Sequence, residues 1–214
     1  MGQPLFIAID GVDGSGKTTQ CRLLAQWLTQ HQVPVVVCRD PGCTPLGDQL
    51  RHLLLERAEL AIETHAEALL FMAARAQMVT EVIRPALQRG SCVLCDRFLL
   101  ANVVYQGHAG GLDPEQLWQI GRWATQGLEP DLTVVLDLDD LSLTARRKQV
   151  QPDRVEQRDA EFHRRVRDGY RYECHRQPER IFLIPADGDI EVVFGHLRGH
   201  LLPHFRAHGW HLEE

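Results

Sequence analysis

The chain has 214 residues, 44% apolar and 24% charged, which is ordinary globular composition and enough material for one self-sufficient core. Its 23 basic and 29 acidic side chains leave a net charge of −6, which argues against a general binder of nucleic acid or anionic membrane. No apolar run approaches the roughly 20 residues of a membrane span, and Met1-Gly2-Gln3-Pro4 carries no charged and apolar leader pattern, so a cytoplasmic, single-domain protein (1–214) is expected.

In chain order, Leu5–Asp10 is a short apolar run that reads as a strand ending in a glycine loop. Thr18–Gln30 follows with Leu23, Leu24, Trp27 and Leu28 at helical spacing, and Pro34–Cys38 is β-branched and strand-like. Pro41 to Pro45 is a loop. From His65 to Arg89 runs the longest helical pattern, with Leu69, Met72, Ala76, Val79, Ile83 and Ala86 forming one buried stripe and Phe71, Arg75 and Met78 on a neighbouring face. Strand-like runs recur at Cys92–Asp96, Thr133–Asp137 and Ile181–Pro185, separated by helical sequence. Such alternation predicts βαβ units and a parallel sheet covered on both faces. Cys92 and Cys95 have metal-like spacing but sit in an apolar strand without a second pair, where thiols act as small hydrophobes. Near the C-terminus His196, His200, His204 and His208 recur every four residues, with Pro203 predicted to break the helix that would align them.

Gly11-Val12-Asp13-Gly14-Ser15-Gly16-Lys17-Thr18 fits G-x-x-x-x-G-K-[ST] between a strand and a helix. Glycines let consecutive backbone N–H groups converge on phosphate oxygens, and the next helix offers its positive end. Lys17 then reaches the β- and γ-phosphates and the Thr18 hydroxyl meets Mg²⁺. The chain contains only two lysines, Lys17 and Lys148, against 21 arginines, so a lysine in this place is not background. The cradle predicts a nucleoside triphosphate site and by itself leaves open a GTPase, a motor ATPase or a small-molecule kinase. No Asn-Lys-x-Asp guanine reader accompanies it.

Asp96-Arg97-Phe98 and Arg39-Asp40 each close a strand, and ligands of doubly wound sheets bind beyond the carboxyl ends of strands. Two arginines at that rim suit a phosphorylated acceptor, because the guanidinium fork grips phosphate bidentately. The bland alternative for each is a surface ion pair. The stretch 145–180 is locally basic, with 11 Lys/Arg against 7 Asp/Glu in an acidic chain.

The P-loop continued by Thr19-Gln20, together with Arg39-Asp40-Pro41-Gly42-Cys43-Thr44-Pro45-Leu46-Gly47, Phe71-Met72-Ala73-Ala74-Arg75 and Asp96-Arg97-Phe98, resembles the thymidylate kinase family. So do Ala101-Asn102-Val103-Val104-Tyr105-Gln106-Gly107, Pro130-Asp131-Leu132 and Asp153-Arg154-Val155-Glu156-Gln157, in the family's order over residues 5 to 175. The resemblance implies a P-loop NTPase fold with a five-stranded parallel sheet, a homodimer, and ATP- and Mg²⁺-dependent phosphorylation of dTMP to dTDP. It implies that Phe71 stacks on thymine, Arg75 bonds its edge, Arg39 and Arg97 grip the dTMP phosphate, and Asp13 meets the 3′-hydroxyl region. Asn102, Tyr105 and Gln106 would line the base and sugar pocket. Asp96 would organise Mg²⁺, directly or through water. Residues of about 145–157 align with a lid over ATP. Family members place the catalytic arginine in the P-loop or the lid, and since Gly14 occupies the P-loop position, Arg147 and Arg154 become the candidates. No general base is needed, because the acceptor phosphate is already an anionic nucleophile.

Four departures stand out: Ala101 for serine, Asp40 and Cys43 for glutamate and glycine, Gln149-Val150-Gln151 where relatives carry arginine, and His108-Ala109 in a glycine-rich loop. They leave two alternatives beside a dTMP kinase, namely a relative with a shifted acceptor (dUMP or a deoxynucleoside) and a non-catalytic nucleotide-binding protein.

Overall fold

The computed structural model describes residues 2–57, 59–138 and 158–213. Five strands, β1 (Phe6–Gly11), β2 (Val35–Arg39), β3 (Cys92–Asp96), β4 (Leu132–Asp137) and β5 (Ile181–Pro185), form one all-parallel sheet in the order β2-β3-β1-β4-β5. This is the α/β architecture expected from the strand–helix alternation. β1 and β3 are buried along most of their length, which is why they read as continuous apolar runs rather than alternating ones.

The helices are α1 (Lys17–Gln30), α2 (Pro45–Arg51), α3 (Thr64–Met78), α4 (Arg84–Gln88), α5 (Leu99–Asn102), α6 (Pro114–Ala124), α7 (Ala160–Arg176) and α8 (Ile190–Ala207). Local chemistry sets several of their starts. Thr44 Oγ1 accepts the Gly47 N–H at 2.9 Å ahead of Pro45, Asp113 accepts from Glu115 at 2.9 Å ahead of Pro114, and Asp159 accepts from Phe162 at 2.7 Å. Helix α1 has no side-chain cap; Gly16, left-handed at φ 93°, precedes it and leaves its first N–H groups to a ligand.

Helices α1 and α8 pack together on one face, where Trp27 and Phe205 meet edge-on at 6.4 Å. On the other, Phe98 beside α5 packs edge-on against Phe6 of β1 at 5.0 Å, and α7 lies across β4 and β5. The register pairs Ile9 and Arg39 with Asp96 on either side, which brings the ends of β1, β2 and β3 to one rim.

Two expectations need correction. The helix over 65–89 exists, as α3, a wide π turn (Val79–Ile83) and α4 in succession, but its burial is not one stripe. Leu69 is 58% exposed, whereas Arg75 and Met78 are fully buried with Met72, Val79, Ile83 and Ala86. Helix α3 touches α2, α5 and α6, so neighbours on several sides decide burial, not the apolar pattern alone. Second, α8 runs unbroken through Pro203. Pro in a helix interior costs about 3 kcal/mol, but Leu201, Leu202 and Phe205 around it are buried, at about 1.5–3 kcal/mol each. In that helix His200 and His204 pack against Phe182 of β5, with ring centroids at 4.4 and 5.7 Å. Cys92 and Cys95 are buried and free: Cys92 Sγ accepts the Leu5 N–H, and the Cys95 thiol donates to the Arg97 carbonyl. No described helix is long and apolar enough to cross a membrane.

Candidate active site

The loop Gly11–Thr18 leaves β1 beside the end of β4 and enters α1. Gly11 (φ 133°) has no alternative, since a side chain there would strike the Leu136 carbonyl oxygen. Lys17 is buried and folds back over the loop, donating to the Val12 carbonyl at 2.8 Å and lying 3.6 Å from Asp13. Burial lowers its pKa, helped by the nearby Arg97 and opposed by Asp13, Asp96 and Asp10. An incoming phosphate therefore meets a desolvated ammonium. Ser15 Oγ is buried without a hydrogen-bond partner among the described residues, an orphan that a phosphate-filled cradle would satisfy. Thr18 Oγ1 donates to Asp96 Oδ2 at 2.5 Å across 78 residues of sequence. A hydroxyl and a carboxylate oxygen in contact at a phosphate cradle are the hard donors that Mg²⁺ takes.

Across the cleft, Arg97 is held from every side. Its backbone is left-handed at φ 69°, and its N–H donates to the Ile9 carbonyl at 3.0 Å. Nη1 donates to the Gly11 carbonyl at 3.0 Å and to the Tyr170 hydroxyl at 3.1 Å; Nη2 pairs with Asp13 and with the Tyr105 hydroxyl at 3.3 Å. The guanidinium lies over the Tyr105 ring, and the Tyr105 hydroxyl donates to Asp13 at 2.8 Å. A left-handed non-glycine residue costs of order 1–3 kcal/mol and persists only where its surroundings over-determine it. Beneath it Asp10 is fully buried, bonded to the Tyr170 hydroxyl at 2.9 Å and 3.9 Å from Arg97. Desolvation raises its pKa to about 6, against the pull of Arg97, Tyr170 and Lys17.

Arg39 is exposed at the rim and lines the same cleft, of about 1370 Å³, as Lys17, Asp96, Phe71, Arg75 and Tyr105. Arg75 does not sit on an open face as a helical wheel suggests. It is 1% exposed, and its Nε donates to the equally buried Asp40 at 2.5 Å. Phe71, one turn earlier, is half-buried at the cleft, so the two present a flat ring beside a fixed guanidinium. Asn102, Tyr105 and Gln106 are buried and reach the same cavity. Of the predicted site residues only Arg147 and Arg154, with the rest of the 145–157 segment, lie outside the described residues. Sequence reading passed over Asp10, Tyr170, Glu67 and Arg158; the one local hint was Asp10, a charged residue inside an apolar strand.

A parallel five-stranded sheet with a phosphate cradle after its central strand, and a threonine–aspartate pair beside that cradle, defines a P-loop nucleoside triphosphate-binding protein. Residues 9–196 match the thymidylate kinase family model. The chain is 47% identical over 189 residues to a thymidylate kinase of Symbiobacterium thermophilum, covering 88% of each chain. It is 45% identical over 190 residues to one of an Exiguobacterium species, covering 88% of this chain and 90% of the relative. A crystal structure of thymidylate kinase from Ehrlichia chaffeensis superposes with a TM-score of 0.77 at 30% identity, over 92% of this chain and 98% of the other. The chain belongs to the thymidylate kinase family.

Proposed function

We propose that this chain is a single-domain enzyme (1–214) that transfers the γ-phosphoryl group of ATP to the phosphate of dTMP, giving dTDP and ADP. The observation that carries this reading is one cleft with two unlike ends: the P-loop with Lys17 and Thr18, and a ring-and-guanidinium pair, Phe71 and Arg75, with Arg39 and Arg97 between. Phosphoryl transfer is mostly positioning and charge neutralisation. The backbone N–H groups of 11–18 and Lys17 hold the donor phosphates. Arg39 and Arg97 hold the acceptor phosphate, with Arg97 supported by Asp13 and Tyr105. Phe71, Arg75, Asn102, Tyr105 and Gln106 receive the base and sugar. Thr18 and Asp96 would hold Mg²⁺, which when bound neutralises charge on the β- and γ-phosphates. Arg147 and Arg154, in a lid of about 145–157, supply the arginine for the transferring group.

The same reading includes a cytoplasmic homodimer. Leu69 on α3 and Ile120 and Trp123 on α6 are exposed large apolar side chains on two helices that pack together, and Trp123 is 82% exposed. Such surface calls for a cover. ADP production from ATP and Mg²⁺ tests the activity, with dTMP, dUMP, dCMP and thymidine as acceptors. dTMP should rank first; another acceptor ahead of it, or no turnover with any, overturns the proposal.

A further inference from the structure

Arg97 is held by hydroxyls from two separate elements. Tyr105 belongs to a π-helical segment (Val103–Ala109) and Tyr170 to α7, their rings meet edge-on at 6.3 Å, and Arg97 donates to both hydroxyls. Three residues further along each element, His108 Nε2 lies 2.8 Å from Glu173 Oε1. Glu173 has 0% exposure, and Trp118 Nε1 of α6 at 3.3 Å, Gln177 Nε2 at 3.4 Å and Arg176 Nη1 at 3.7 Å complete its surroundings. Desolvation works against its charge, but the bond from His108 and the charge of Arg176 hold its pKa below the usual carboxylate value. A carboxylate only accepts, so His108 Nε2 carries the proton between them. Gly169 of α7 lies beside the pair, and a Cβ there would stand 2.8 Å from His108 Cβ. The helix and the π-helical segment thus approach as closely as a glycine permits. His108 itself opens on a second cavity, of about 520 Å³, rather than on the cleft.

We propose that His108 and Glu173 are positioning residues that lock the π-helical segment against α7 and so keep the Tyr105 and Tyr170 hydroxyls where Arg97 needs them to grip the acceptor phosphate. The partners of Arg97 are of two kinds. Asp13 is an anion, and it competes with an incoming phosphate for the same guanidinium nitrogen. The two hydroxyls are neutral, so they hold the guanidinium in place while its charge goes to the phosphate. Without them Arg97 is left to the competing carboxylate. The hydroxyls stay together only while their elements do. Removing the His108 bond leaves Glu173 a buried anion with longer contacts alone, and such a group draws in water or a proton. Water enters where the helix and the segment meet, at Gly169 and residue 108. Each tyrosine shares its element with one member of the pair, so a separation there moves both hydroxyls relative to Arg97.

This inference rests on the acceptor reading above, and its test separates the two. Calorimetric titration of the full-length protein gives Kd for dTMP and for thymidine, which differ only in the phosphate. The wild type should bind dTMP the more tightly; no such advantage overturns the acceptor reading and this inference with it. His108→Ala should reduce the advantage about tenfold, the scale of one hydrogen bond to a charged group. His108→Gln, whose NH₂ group can still donate to Glu173, should keep most of it. Gly169→Ala forces the two elements apart with every hydrogen-bonding group still present. It should move the ratio the same way as His108→Ala, and it carries the comparison if that variant does not fold. A purely structural role would lower the melting temperature and weaken both ligands alike. An unchanged ratio in the folded variants, or equal losses in His108→Gln and His108→Ala, therefore overturns the proposal while leaving the acceptor reading in place.

Discussion

Asp10 is a fully buried carboxyl whose titration the fold shifts. The unfolded chain exposes it as an ordinary carboxyl with a pKa of 3.8, whereas burial under Arg97 and Tyr170 raises it to about 6 in the folded state. Between those values the native state holds a proton that the unfolded state has released, so stability falls as pH rises through the window. A tenfold change in a proton-dissociation constant is worth about 1.36 kcal/mol. The rise from 3.8 to about 6 therefore makes the ionised form cost the fold on the order of 3 kcal/mol above pH 6, with no cost below the unfolded value. Asp10→Asn removes the titration. Both oxygens of Asp10 accept hydrogen bonds, from the Tyr170 hydroxyl and the Phe98 N–H, so the variant also carries a pH-independent offset where its NH₂ group replaces an oxygen. The readout is therefore the slope. Urea unfolding at about pH 4, 5, 6 and 7 should show the wild type losing on the order of 3 kcal/mol relative to Asp10→Asn from the lowest pH to the highest. A difference between the two proteins that stays constant with pH would refute the account of a desolvated carboxyl.

Lys17→Ala should abolish turnover while leaving a folded protein, and Arg147→Ala or Arg154→Ala should lower kcat far more than acceptor affinity; if neither arginine variant changes kcat, the catalytic arginine lies elsewhere. Arg75→Met strands Asp40 without its cation in a dry site, which should lower the unfolding free energy by about 3–5 kcal/mol, and adding Asp40→Asn should restore part of it; equal stability of the two variants by urea titration would contradict this. Trp123→Glu puts a charge on the exposed apolar surface of α6, and sedimentation should find a dimer in the wild type and a monomer in the variant, whereas an unchanged mass would place the interface elsewhere.

Features that depend on near neighbours along the chain are legible before it folds. The phosphate cradle is legible because its parts lie within eight consecutive residues and each is required for a local reason. The strands are legible because buried parallel strands are short continuous apolar runs. The strand ends carrying Arg39 and Asp96-Arg97 follow from those strands, since the rim of a parallel sheet is where such ends meet. The tertiary structure decided everything that depends on a partner far along the chain. Arg75 is buried by Asp40, 35 residues away, Glu67 by Arg158, 91 away, and Asp10 meets Tyr170 across 160. Helical periodicity reports which residues share a face, but only the packing of α2, α5 and α6 around α3 decided that Arg75 would lie inside and Leu69 outside. Pro203 likewise has a local cost that a sequence reading registers, while the burial that outweighs it comes from side chains whose neighbours only the folded chain supplies.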